Sequence, residues 1–173
     1  IEKLEETEAV YRKTIADLYK SEELYRLLAE NSSDVIWSMT LDGRFTYVSP
    51  SVTAMTGFTP EEVMKIPMHR YIVSEYVPIV TEELVRELKK PAGERRNIRT
   101  MELQQYAKDG SVIDIEATIS WVLDDQGEPV GIQGSTRDIR SRKMARLALE
   151  ESEERYRSLF ERSLDIVFIH DFK

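Results

Sequence analysis

Residues 112–123, VIDIEATISWVL, restrict the folds open to this chain more than any other stretch. Ile113, Ile115, Ala117, Ile119, Trp121 and Leu123 alternate with Asp114, Glu116, Thr118 and Ser120. Successive side chains of an extended strand point to opposite faces, so this pattern gives one apolar and one polar face. Such a strand belongs to an antiparallel sheet with one side on a core and the other in water. Partners for it can be read nearby. "DVIWSMT" and "FTYVS" flank "LDGR", an Asp-Gly turn, and form a hairpin; Thr100 to Ala107 runs into the turn "KDGS"; "VGIQGSTRDI" follows "DDQGEP". Between the second and third strands, "GFTPEEV" starts a helix in which Thr59 caps, Pro60 takes the first position and Glu62 closes a capping box. Val77, Val80, Leu84 and Leu88 mark one face of a longer helix. Two strands, short helices and three strands specify an α+β fold: a five-stranded antiparallel sheet with helices on one face.

A second regularity sets the domain plan. "SEELYRLLAENSSDVI", residues 21–36, returns 131 residues later as "SEERYRSLFERSLDIV", with nine of sixteen positions identical. That interval far exceeds the periods of roughly 20–50 residues of solenoids and propellers and fits one ordinary domain plus its linker. Four segments are therefore expected: an amphipathic, coiled-coil-like helix over 1–31, a domain over 32–140, a linker helix over 141–163, and over 164–173 the start of a second, truncated copy. The chain reads as a piece of a longer protein. Leu4, Tyr11, Leu18 and Tyr25 fall seven apart, with Ile1 and Ile15 three residues before Leu4 and Leu18. This heptad seam, interrupted by Glu8 and Glu22, suits either packing on the chain's own domain or pairing of two copies. A homodimer through residues 1–30 is the expectation. From Arg140 to Ser163 a second stripe carries Leu149, Tyr156, Leu159 and Phe160.

Charge and composition narrow the function. A net charge of −8 leaves no basic patch to displace counterions from nucleic acid, so nucleic acid is not an expected partner. Apolar runs stop at about five residues, too short for insertion into a bilayer. The absence of cysteine removes disulfides, thiolate metal sites, iron–sulfur clusters and thiol nucleophiles, and is compatible with the cytoplasmic location expected here. No phosphate loop, zinc motif or nucleophile elbow is present. This segment is not expected to be an enzyme, nor to hold a metal.

"DGRFTYVSPSVTAMTGFTPEEV", "YAKDGSVIDIEATI" and "GEPVGIQGSTRDI", in that order, resemble the successive blocks of a PAS domain with its C-terminal PAC motif. The second copy resembles the family only through its leading helix and first strand. The resemblance implies a sheet curled around helices to leave an internal pocket, in signalling proteins such as histidine kinases and cyclic-dinucleotide enzymes. A sensor histidine kinase of a two-component system, with further PAS and output domains, is the expected parent.

The resemblance also guides the site. In the flavin-binding light-oxygen-voltage branch a reactive cysteine follows a stretch similar to "GFTPEEV"; here Met68 stands in its place, which excludes a covalent flavin adduct. Gln133 matches that branch's flavin-contacting glutamine, and Gln105 lies where it has asparagine. Both amides also have a plainer role, bonded within the sheet. Haem would need an axial ligand, and His69 precedes the helix from which haem-binding relatives supply theirs; His69 is read as a surface or loop residue and His170 as part of the truncated strand. The pocket is expected to be formed by Trp37, Met39, Met68, Val80, Leu84, Ile115, Ala117, Ile119 and Gly131, with Gln105 and Gln133 as polar anchors. Gln133 is expected to relay ligand binding towards "RDIR", and Asp138 to hold the last strand to the outgoing helix through an arginine. Three readings stay open: a sensor of a small organic ligand, a scaffold whose pocket Trp37 and Tyr71 fill, and a redox sensor with non-covalent flavin.

Overall fold

The computed structural model describes residues 2–30, 32–91 and 99–169. It divides into two units, residues 1–138 and 139–173. The first contains helix α1 (Glu2–Glu30) and then the strands and short helices expected from the sequence. These are β1 (Val35–Met39), β2 (Phe45–Val48), α2 (Ser51–Thr56), α3 (Pro60–Val63), α4 (Met68–Tyr71), α5 (Tyr76–Leu88), β3 (Arg99–Tyr106), β4 (Val112–Leu123) and β5 (Pro129–Asp138). All pairings are antiparallel, in the order β2-β1-β5-β4-β3.

The alternation in β4 is obeyed from Ile113 to Trp121: the five odd-numbered residues are buried and the four between them are not. Opposite residues of a ladder share a face, so register carries this division to the neighbours. Leu103 opposite Ile115, Thr136 opposite Ala117 and Ile132 opposite Trp121 point inward, whereas Gln133 opposite Ser120 points outward. The inner face is covered by α2 to α5, with Val52 and Val63 each 1% exposed; full burial of such side chains stabilises by about 1.5–3 kcal/mol each.

Local chemistry sets the helices over this face. Thr59 accepts from Glu62 N, and Glu62 Oε2 accepts from Thr59 N, the expected capping box with Pro60 at the first turn. Glu62 also takes both contacts of Lys108 Nζ, at 2.7 and 2.8 Å, which fastens α3 to the β3–β4 turn. At the far end of α5 the buried Glu87 accepts from Lys90 Nζ at 2.7 Å and lies 3.5 Å from Arg99 at the start of β3. The helix therefore buries a paired carboxylate at its last turn, while Leu88, expected on the core face, is 36% exposed.

The second unit is the single helix α6 (Arg140–Ile169). It begins where the sequence places it but continues through 165–169, where a strand opening a second domain was expected. The α1 seam carries no cover within its own unit: Tyr11, Ile15, Leu18 and Tyr25 are 51–70% exposed. The side chains of Ile1 and Leu4, and all of His170, lie outside the described residues. Among the described residues no helix is long and apolar enough to cross a membrane.

Candidate functional site

Between the inner face of the sheet and the helices lies a cavity of about 60 Å³. Strands β1, β4 and β5 give its floor and α5 its roof, because each turns a run of apolar side chains towards it. Nine residues expected at a pocket line it: Trp37, Met39, Met68, Val80, Leu84, Gln105, Ile115, Ala117 and Ile119. The other two do not. Gln133 is exposed on the outer face, and Gly131, opposite Val122, belongs to the same outward row.

The reason for that correction is Trp37. Its indole lies over Gly134, where a Cβ would stand 2.6 Å from Trp37 Cζ2, and its Nε1 donates to Thr136 Oγ1 at 2.9 Å. Gly134 and Thr136 must then face inward, which turns Gln133 into a polar row with Ser38 and Ser120, the latter's hydroxyl 3.4 Å from Gln133 O. Alternation groups Gly131, Gln133 and Ser135 correctly, but the outward side was theirs. The signal in the sequence was Ile132 and Thr136 flanking a glycine.

In the cavity wall and behind it, aromatic rings meet edge to face. Phe45 stands 6.2 Å from Trp37 and 5.8 Å from Tyr71, and Tyr71 stands 6.1 Å from Phe58. Polar groups on the wall are few. Thr136 serves Trp37. Among the described residues the Gln105 amide nitrogen donates to Met55 Sδ at 3.7 Å, a weak acceptor. The Tyr71 hydroxyl is buried and has no hydrogen-bond partner among the described residues. Burial raises its pKa to about 12, against a smaller lowering by the Thr56 hydroxyl, which donates to Val52 O and accepts from Phe58 N. None of the described lining residues is charged.

These features bear on cofactors. About 60 Å³ is far below the roughly 300–1,000 Å³ of sites for molecules of drug or cofactor size, and the amide matched to the flavin-binding branch faces solvent. At this volume the closed cavity has no room for a flavin ring system. His69 is exposed on α4, and no cluster of three potential metal ligands exists among the described residues.

The end of β5 holds a pair that sequence reasoning missed. Arg137 donates from Nε and an Nη to the two carboxylate oxygens of Asp34 at 2.9 and 2.8 Å, joining the residue before β1 to the end of strand β5. No spacing rule announces a partner 103 positions away. Asp138, the expected arginine-bound residue, is half-buried opposite Ile115.

The comparisons with known proteins agree with this architecture. The family described as the PAS fold matches residues 23–139. No curated protein matches the sequence. Among solved structures, the chain is similar to the PAS domain of a protein from Colwellia psychrerythraea, with 23% identity, TM-score 0.58, and 68% of this chain and 96% of that one covered. It is also similar to a sensory box histidine kinase/response regulator from Burkholderia thailandensis, with 23% identity, TM-score 0.56 and coverage of 78% and 98%. The PAS domain of an HTR-like protein from Haloarcula marismortui has 22% identity, TM-score 0.59 and coverage of 74% and 99%. With a five-stranded sheet in the order β2-β1-β5-β4-β3, a helical cover and a family match over most of its length, the chain belongs to the PAS family.

Proposed function

We propose that this domain is the sensory input module of a cytoplasmic signalling protein, a sensor histidine kinase with further PAS and output domains. A small, uncharged, mainly apolar ligand enters the cavity, and the change passes along β5 into the helix that follows it. The observation that carries this reading is an apolar cavity whose wall includes two under-used polar groups, Tyr71 and Gln105. A buried hydroxyl without a partner costs about 1–3 kcal/mol, and a ligand that bonds it recovers part of that. Output would be altered through the end of β5, where Arg137, held by Asp34, and Asp138 stand three and two residues before the start of α6. The near-repeat of residues 21–36 at 152–167 supports a tandem arrangement. The test is to denature the purified protein and identify released molecules by mass spectrometry. A stoichiometric uncharged compound is expected; a stoichiometric flavin or haem would overturn this reading.

The scaffold reading has one observation in its favour, the ring chain Trp37–Phe45–Tyr71 in the cavity wall, beside which only about 60 Å³ stays open. An empty protein that also takes up no small molecule would establish it.

Either way, we infer a homodimer through α1. The heptad seam is exposed on one chain, while the outer sheet face presents Gln104, Asp114, Glu116, Thr118, Ser120 and Gln133. Light scattering is expected to give twice the chain mass. A chain shortened to begin at Asn31 should be monomeric at the same concentration; an equally dimeric one would move the interface to the sheet.

A further inference from the structure

Beside the cavity, between α5 and the β1–β2 turn, runs an open groove of about 260 Å³. Four side chains line both spaces: Met39, Met68, Leu84 and Ile132. Met39 and Ile132 are buried in the sheet, whereas Met68 and Leu84 are only half-buried. Met68 is placed there by the turn, since its backbone N donates to Gly43 O at 3.2 Å and Gly43 adopts φ 80°, which a side chain would strain. A methionine side chain has three soft torsions and an unbranched end. Met68 and Leu84 are the two side chains of the shared wall that lie outside the buried sheet.

Volume decides what the two spaces together take. The cavity alone holds about four to six water-sized bodies at roughly 10–15 Å³ each, enough for the first few heavy atoms of a ligand. Adding the groove brings the pair to the lower end of the range usual for small-molecule sites, roughly 300–1,000 Å³. Polarity decides the orientation. The under-used hydrogen-bonding groups, Tyr71 and Gln105, lie on the inner wall; the groove continues with Val77, Val85, Leu88 and Trp121, and Asp42, His69 and Thr81 also border it. No described residue of the inner wall can neutralise a charge, and an unpaired buried charge is strongly disfavoured.

We infer that the two spaces form one binding site for an elongated, uncharged amphiphile, its hydroxyl or amide head in the cavity and its hydrocarbon tail in the groove past Met68 and Leu84. This rests on the reading of the cavity as a ligand site and adds the ligand's class, its orientation and a second compartment.

A series of primary alcohols tests it, read by the fluorescence of Trp37 in the cavity and Trp121 in the groove. Affinity is expected to rise by roughly fourfold per methylene from 1-butanol to 1-octanol, the increment for burying a methylene. Octanoate at neutral pH should bind at least tenfold more weakly than 1-octanol. Val85→Asp, on the exposed side of the groove, should abolish the gain from butanol to octanol. Tyr71→Phe should weaken all alcohols by a similar factor of roughly 2–12, the worth of one ordinary hydrogen bond. An affinity that stalls beyond 1-butanol would overturn the groove as a compartment while leaving the cavity as a ligand site. Equal binding of octanoate would overturn the uncharged head. If no alcohol of any length bound, the inference would fail outright, and the released-ligand experiment would decide separately whether the cavity takes another compound.

Discussion

Replacing Gly134 with alanine is expected to lower the melting temperature of the domain by about 15 °C. A methyl group there would stand 2.3 Å from Thr118 O and 2.6 and 2.9 Å from two carbons of the Trp37 ring. The ring could in principle turn, but Nε1 is held by Thr136 and the ring edge abuts Phe45. The carbonyl cannot yield independently, because Thr118 sits in the middle of the β4–β5 ladder with Ser135 opposite and Ile119 facing Gly134. Overpacking of this kind costs about 3 kcal/mol at the upper end of its usual range, and each kcal/mol moves the midpoint of a domain of this size by about 4–8 °C. Differential scanning calorimetry supplies the number. Trp37→Ala in the same background removes the ring collision but not the carbonyl, so the double variant should lose less than the sum of the two single ones. A Gly134→Ala protein that melts within 3 °C of the parent would mean that Trp37 does not lie on this strand, and would reopen the inward placement of Gln133.

That residue shows where the sequence stopped being legible. Strand alternation in β4, the hairpin turns and the capping box are written in neighbouring residues, so the elements could be placed within one or two positions. Of the nine cavity residues, Trp37, Met39, Ile115, Ala117 and Ile119 followed because strands with strong alternation declare their buried side, Val80 and Leu84 from the apolar face of a helix, and Met68 and Gln105 from the resemblance. Strand β5 declares little: Gly131, Gly134 and Ser135 have small side chains that suit either face, so its parity rested on likeness to a flavin-binding branch. What fixes it is a tertiary fact, the large ring of Trp37 needing a residue without a side chain opposite it. The Asp34–Arg137 pair and the buried Glu87 escaped for the same reason. Charged residues read as solvated unless a partner distant in sequence is known. The helical run through 165–169 differs in kind, since "DIVFI" is short and apolar and its periodicity alone does not separate a strand from a helix.

Replacing Tyr71 with phenylalanine is expected to leave the domain as stable at pH 8, or up to about 1 kcal/mol more stable, and to make it clearly more resistant to alkali. The hydroxyl is buried without a hydrogen-bond partner among the described residues, so removing it discards a desolvation cost and no bond. The pH dependence follows from the difference between the folded and unfolded chains. An unfolded tyrosine ionises near 10, whereas burial raises Tyr71 to about 12. Between these values the folded state retains a proton that the unfolded state has lost, so its stability is complete below pH 10 and falls as pH rises towards 12. The loss is about 1.4 kcal/mol per pH unit, or about 2–3 kcal/mol across the window. Phenylalanine has nothing to ionise. Other tyrosines and the lysines titrate in both proteins and cancel in the comparison, so the urea midpoints of parent and variant should run together to pH 9.5 and separate steadily above it. Midpoints that stay parallel to pH 12 would show that the hydroxyl reaches water or an acceptor, and the cavity would lose the polar anchor on which a head group is meant to sit.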